Sequence, residues 1–287
     1  MSSSPRGRSA ACAKPSSTSA EVAGTGSIFV DESGSGPCVL LLHGQPGTHE
    51  HLSPVKDLLT GRARVLSIDR PGYGRSDAPT SPPGHQAAQL VELLGEREAT
   101  PAIVVAHSYA SAVALLMAAD HPEAIAGLVL VAGVGGRGSV VWVDRVMAAP
   151  VVGGPISSAS LLAYGLIAPV VAHLGGRTRL ATNVPVTPTT WLLESRGTFL
   201  AEQRFLVEHE DAIEARRREV RCPVVVIQGE VDDVVPLSAG RDLAMNLPDA
   251  RLVVLPGAGH LLPRDEPRAI AEAVSSLLEA PGTSSGT

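Results

Sequence analysis

The chain has 287 residues, 44% of them hydrophobic, which is enough apolar material for one large core or for one core that carries an insertion. Its 23 basic and 29 acidic residues leave a net charge of −6, so there is no electrostatic footprint for a phosphate backbone or an anionic membrane surface, and nucleic acid is not expected as a partner. Aromatic residues, at 3%, are too sparse for a carbohydrate groove or a base-stacking platform.

Residues 1–25 are rich in Ser and Ala, lack the apolar run of a secretory signal, and read as a disordered tail. Short, almost wholly apolar, β-branched runs follow at 39–42, 64–68, 102–106, 127–131, 223–227 and 251–255, the pattern of parallel strands covered on both faces. Segments with helical spacing separate most of them, at 85–94, 111–120, 238–247 and 267–279. This alternation predicts an α/β fold: a mostly parallel, doubly wound sheet with helices on both faces.

The alternation fails once, between about residues 135 and 220, and an inserted segment accounts for the gap. Residues 146–176 carry no charge, but Pro150, Pro155 and Pro169, with Gly153, Gly154 and Gly165, interrupt them. No span of about 20 helical residues accumulates, so a membrane span is not expected, and short helices around an apolar cavity are. Residues 200–219 carry Phe205, His209, Ile213 and Arg216 at helical intervals, with Glu214 and Arg218 as an i,i+4 pair on a solvated face. The expected organisation is a core at 26–136 and 219–280, a helical lid insertion at 137–218, and a flexible tail at 281–287. Cys12, Cys38 and Cys222 are widely spaced without a CxxC pair, as in a reduced, cytoplasmic setting.

In doubly wound sheets ligands meet the carboxyl ends of the strands. At these ends stand Ser108 after run 102–106, Asp232 in the Gly229-to-Pro236 loop, and His260 in Pro256-Gly257-Ala258-Gly259-His260. Alone, a Ser here is a helix cap, an Asp a turn residue and a His a structural group. Together they form a chemical set, because a serine hydroxyl needs an imidazole to take its proton and a carboxylate to hold the imidazole tautomer. His49-Glu50-His51 lacks the HExxH spacing and an evident third ligand, and reads as a loop or helix start. The Gly-rich stretch 69–77 lacks the phosphate-cradle pattern, and neither a metal nor a cofactor is expected.

Residues 26–280 resemble the α/β-hydrolase superfamily on several motifs. Leu41-Leu42-His43-Gly44-Gln45-Pro46-Gly47 is similar to its oxyanion loop, and Asp69-Arg70-Pro71-Gly72-Tyr73-Gly74-Arg75-Ser76-Asp77 to its D-x-x-G-x-G-x-S loop. Ala106-His107-Ser108-Tyr109-Ala110 matches the nucleophile elbow in position, with Ala at both usual glycines, the smallest available replacement. Gly229 to Pro236 and Gly259-His260 match the acid and base loops. The resemblance implies Ser108 as nucleophile, His260 as general base and acid, and Asp232 as the orienting carboxylate. Asp232 is preferred to Asp233 for its place between Gly229 and Pro236, and Glu230 and Asp233 are left as solubilising loop residues.

It also implies backbone N–H groups of Gln45 and Tyr109 as the oxyanion hole, and a substrate pocket taking in His43, His107, Leu161, Tyr164 and Ile167, with His43 also bracing the oxyanion loop. The expected function is hydrolysis of a small hydrophobic carboxylic ester, thioester or lactone through an acyl-enzyme on Ser108. The alternatives are a cofactor-free perhydrolase, a carbon–carbon bond hydrolase with the same triad, and a non-catalytic ligand-binding homologue. Oligomeric state leaves no signal in the sequence.

Overall fold

The computed structural model describes residues 16–22, 26–149 and 194–279, with 153–156, 158–159 and 163 between them. An eight-stranded sheet runs in the order β1-β2-β4-β3-β5-β6-β7-β8. Its strands are β1 (Ser16–Val22), β2 (Gly26–Gly34), β3 (Cys38–Leu42), β4 (Arg64–Ile68), β5 (Ala102–His107), β6 (Ile125–Val131), β7 (Val224–Gly229) and β8 (Ala250–Leu255). Pairing is parallel from β4 through β3 to β8, whereas β1 with β2 and β2 with β4 are antiparallel.

The apolar runs become strands because alternate side chains fill two separate cores. Leu40, Leu42, Leu66, Val104, Leu128, Leu130 and Val226 point into one, where Leu90 and Leu93 of α2 (Pro83–Glu96), Val113 of α3 (Ala110–Asp120) and Leu243 of α6 (Leu237–Asn246) also pack. Val39, Leu41, Val65, Val105, Val129, Val225 and Ile227 point into the other, against Val55 and Leu59 of α1 (Ser53–Leu59) and Ile270, Val274 and Leu277 of α7 (Pro267–Leu278). Both faces are covered, as the unbroken apolar runs require.

Residues 16–22 correct the expected tail: they form β1, with Thr18 opposite Val30. The strand is polar because it sits at the sheet edge, where pairing to one neighbour suffices. Arg97 Nη2 also donates to Thr18 Oγ1 at 3.0 Å.

Between β6 and β7 the chain forms α4 (Trp142–Ala148) and α5 (Arg196–Arg216), and no strand of the sheet lies between them among the described residues. The buried face of α5 is Phe199, Glu202, Gln203, Leu206, Glu210 and Ile213, so two carboxylates share it with apolar side chains. The reason is electrostatic: Glu202 and Glu210 face inward because Arg70 and Arg145 meet them there. Glu214 approaches Arg217 at 3.6 Å, three residues on. Leu161, Tyr164 and Ile167, with most of the uncharged stretch, lie outside the described residues. No helix among the described residues is long and apolar enough to cross a membrane.

Candidate active site

β5 ends at His107, and the chain then turns sharply into α3 with Ser108 at φ +54°, a left-handed conformation that a residue with a Cβ rarely adopts. Surrounding main chain holds this strained residue in place. Ser108 N–H donates to Val131 O at 2.9 Å, and its carbonyl accepts from Ser111 N–H at 3.0 Å and Val134 N–H at 3.2 Å. Ala106 and Ala110, flanking the elbow, are fully buried, so a methyl group fits where the family pattern has glycine.

Ser108, Asp232 and His260 come together from the ends of β5, β7 and β8. His260 Nε2 stands 3.1 Å from Ser108 Oγ, and His260 Nδ1 stands 2.9 Å from Asp232 Oδ2. With the carboxylate at Nδ1, that nitrogen carries the proton and Nε2 is left to accept from the serine. Asp232 is itself pinned: Oδ1 accepts from the N–H groups of Val234 at 2.8 Å and Val235 at 2.9 Å, and Oδ2 from Gln228 Nε2 at 3.0 Å. Asp233, by contrast, is exposed, while all three members of the chain are buried.

Glu230 is more than a solubilising loop residue, since Oε2 accepts from Gly257 N–H at 3.0 Å and ties the loop after β7 to the loop after β8. Gln228 also had no prior signal. In a strand sequence it reads as one polar residue among valines, and only the fold reveals the carboxylate beside it.

The 43–45 backbone lies against the elbow: a Cβ built on Gly44 would meet Ser108 Cβ at 3.0 Å. Among the described residues, neither the Gln45 nor the Tyr109 amide N–H donates a hydrogen bond. Both belong to backbone next to Ser108, Tyr109 by sequence and Gln45 through the close approach of Gly44, and an unused amide can receive a developing negative charge.

The two histidines expected on the pocket wall serve the main chain. His43 is fully buried, receives Arg70 N–H at Nε2 (2.9 Å) and sits 2.7 Å from Gly44 O through Nδ1, so both ring nitrogens are engaged. Burial first, then the Arg70 charge, hold its pKa well below the usual value and keep it neutral. With both nitrogens committed, His43 braces the 43–44 backbone against Arg70. His107 Nε2 lies 3.0 Å from the carbonyl of His260, steadying the loop that carries that ring. Burial first, then His260, push the His107 pKa down to about 3.

Behind the 43–45 loop sits a buried ion pair that apolar patterning could not expose. Arg70, after β4, and Glu202, on α5, have fully buried side chains, with Nη1 to Oε1 at 2.5 Å and Nη2 to Oε2 at 3.2 Å. Tyr73 OH donates to Glu202 Oε2 at 2.8 Å and Gln86 Nε2 to Oε1 at 3.3 Å. The Tyr109 ring packs 5.0 Å from the guanidinium carbon.

The glycine-rich loop that follows Asp69 also acquires a physical reason. It wraps the Asp69 carboxylate, which accepts from Arg75 N–H at 2.8 Å and His49 N–H at 2.7 Å, with His49 Nδ1 at 2.8 Å. Gly74 adopts φ +55°, and a Cβ there would stand 2.3 Å from Asp69 Oδ2. The side chain of His49 in the His-Glu-His run is thus turned to this carboxylate.

With this arrangement in place, comparison with known proteins places the chain in a class. Residues 39–273 match the model of the alpha/beta hydrolase family, and the chain belongs to that family. It is a hydrolase. It is similar to the pimeloyl-[acyl-carrier protein] methyl ester esterase of Chromobacterium violaceum, 30% identical over 258 residues that cover 81% of this chain and 91% of the relative. It is also similar to the 2-(acetamidomethylene)succinate hydrolase of Mesorhizobium japonicum, 24% identical over 273 residues, covering 88% and 92% respectively. Among solved structures, the thermophilic esterase of Thermogutta terrifontis superposes with a TM-score of 0.70 at 21% identity, covering 93% of this chain and 98% of that one, which is a likeness of fold.

Proposed function

We propose that the protein hydrolyses a small hydrophobic carboxylic ester, thioester or lactone through an acyl-enzyme on Ser108. The observation that carries this reading is the buried hydrogen-bonded chain Ser108–His260–Asp232 beside two unengaged amides. His260 Nε2 takes the Ser108 proton as Oγ attacks the substrate carbonyl, and Asp232 stabilises the imidazolium that results. The Gln45 and Tyr109 N–H groups receive the tetrahedral oxyanion. His260 then passes its proton to the leaving alcohol or thiol, the acyl-enzyme forms, and a water deprotonated by the same nitrogen releases the acid and regenerates Ser108.

The methyl ester esterase among the relatives supports an ester as the scissile group. From the sequence we read residues 137–218 as a lid insertion, and Leu161, Tyr164 and Ile167, which lie outside the described residues, as candidates for substrate contact. The test is a panel of p-nitrophenyl esters and matched thioesters of increasing acyl length on wild type and Ser108→Ala. Turnover confined to wild type, with a maximum at a short apolar chain, is expected. No turnover by folded wild type sinks the reading, and turnover that survives in Ser108→Ala sinks the nucleophile.

A further inference from the structure

Arg70 has five N–H donors on its guanidinium, and the fold uses all of them. Nη1 serves Glu202 Oε1 and Gln86 Oε1 (2.5 and 3.1 Å) and Nη2 serves Glu202 Oε2 and Gly44 O (3.2 and 3.1 Å). Nε serves His43 O at 2.7 Å. The contacts divide in a telling way. One side of the guanidinium grips consecutive carbonyls of the 43–44 backbone; the other is clasped by a carboxylate from the inserted helix α5.

The peptide group is planar and trans, so its C=O and N–H point in opposite directions. The Gly44 carbonyl belongs to the same peptide as the Gln45 N–H. Arg70 Nη2, together with His43 Nδ1 at 2.7 Å, fixes where that carbonyl points and thereby where the Gln45 N–H points. A guanidinium is suited to this because its rigid fork fixes direction as well as charge, which the single ammonium of a lysine does not. Nothing else among the described residues holds the Gln45 amide, which donates no hydrogen bond of its own.

Resting on the serine-hydrolase reading above, we propose that Arg70 is a positioning residue for the oxyanion hole, and that Glu202 makes its grip depend on α5 being docked. Seating of the inserted segment and alignment of the Gln45 N–H are then one event, and the enzyme acquires its full oxyanion hole only with α5 in place. Tyr73 OH and Gln86 Nε2 hold Glu202 in the same clasp from the core side, so the carboxylate engages only at this docked position.

The test uses full-length protein, a p-nitrophenyl ester that the wild type hydrolyses, and an alkyl trifluoromethyl ketone, whose adduct with the serine mimics the tetrahedral oxyanion. Replacing one partner alone strands a buried charge, so the main variant removes both: Arg70→Met with Glu202→Met. With a wild-type melting profile, kcat is expected to fall about 10- to 100-fold and the ketone inhibition constant to rise by a matching factor, less than loss of a whole oxyanion donor costs. KM should move less than about threefold, and burst titration should still count nearly every molecule as active, which a partly unfolded sample would not show.

Glu202→Gln, a near-isosteric single change, provides the same readout if the double variant does not fold, with an expected loss of about tenfold. Unchanged kcat and ketone binding in a folded variant overturn the proposal, as does a raised KM with kcat intact. Arg70→Lys weakening the ketone while Glu202→Gln leaves it untouched overturns the link to α5. A wild type that neither turns over esters nor binds the ketone fails the hydrolase reading itself, and the proposal falls with it.

Discussion

Gly229 closes β7 so tightly against Gly259 that a Cβ on Gly229 would stand 2.3 Å from the Gly259 carbonyl oxygen. The same atom would lie 2.5 Å from Ala258 O, so the obstruction is backbone and cannot swing aside. This approach brings the loop bearing Asp232 to the loop bearing His260, next to the 2.9 Å contact between their side chains. Gly229→Ala is therefore expected to destabilise the fold by about 1–3 kcal/mol, the usual cost of forcing a methyl group into a filled space. Activity at a temperature where the variant is still folded should fall as well, since His260 is displaced from Asp232. Urea unfolding and ester turnover, run on the same preparation, check both.

Asp232 accepts from Val234, Val235, Gln228 and His260. An asparagine there offers one oxygen in place of two acceptors and turns an N–H₂ toward a donor. Asp232→Asn is expected to lower kcat by about 10⁴-fold, because the imidazole loses the tautomer that leaves Nε2 free to accept. KM for the same ester should be little affected. A loss of less than tenfold would mean that another group orients His260.

Stability should respond to pH in a direction set by the buried histidines. His43 and His107 are held neutral by burial, His107 down to about 3 from 6.5, so in the unfolded chain they bind protons that the fold refuses. Their contribution is present above pH 6.5 and is lost as pH falls below it, with a slope of at most about 1.4 kcal/mol per pH unit for each group. His49 runs the other way: its hydrogen bond to Asp69 raises its pKa, so its contribution is present below 6.5 and is lost as pH rises through the folded value. Unfolding curves on the acid side of pH 6.5 should be shallower in pH dependence for His107→Asn than for wild type; equal slopes would contradict the burial argument.

Much of the fold was legible because β3, β5 and β7 are buried at every position, and a strand buried on both faces cannot hide its apolar run. β1 was not legible: Ser16–Val22 contains mostly Ser, Thr and Ala, and becomes a strand only because β2 offers a free edge. Ser108, Asp232 and His260 could be read because each stands just past such a run, where the topology gathers side chains. Arg70 and Glu202 could not be linked, being 132 residues apart. Glu202 also sits in a helix whose charges look solvated, and a buried carboxylate is recognised only when its partner is seen.

If Ser108 is an activated nucleophile, as proposed, a fluorophosphonate probe will find it. Incubated with folded wild-type protein, digested and mapped by mass spectrometry, the probe should add once, on the peptide containing Ser108, and should add nothing to Ser108→Ala. Absence of a Ser108 adduct in folded wild type, or an adduct that persists elsewhere in Ser108→Ala, would contradict it.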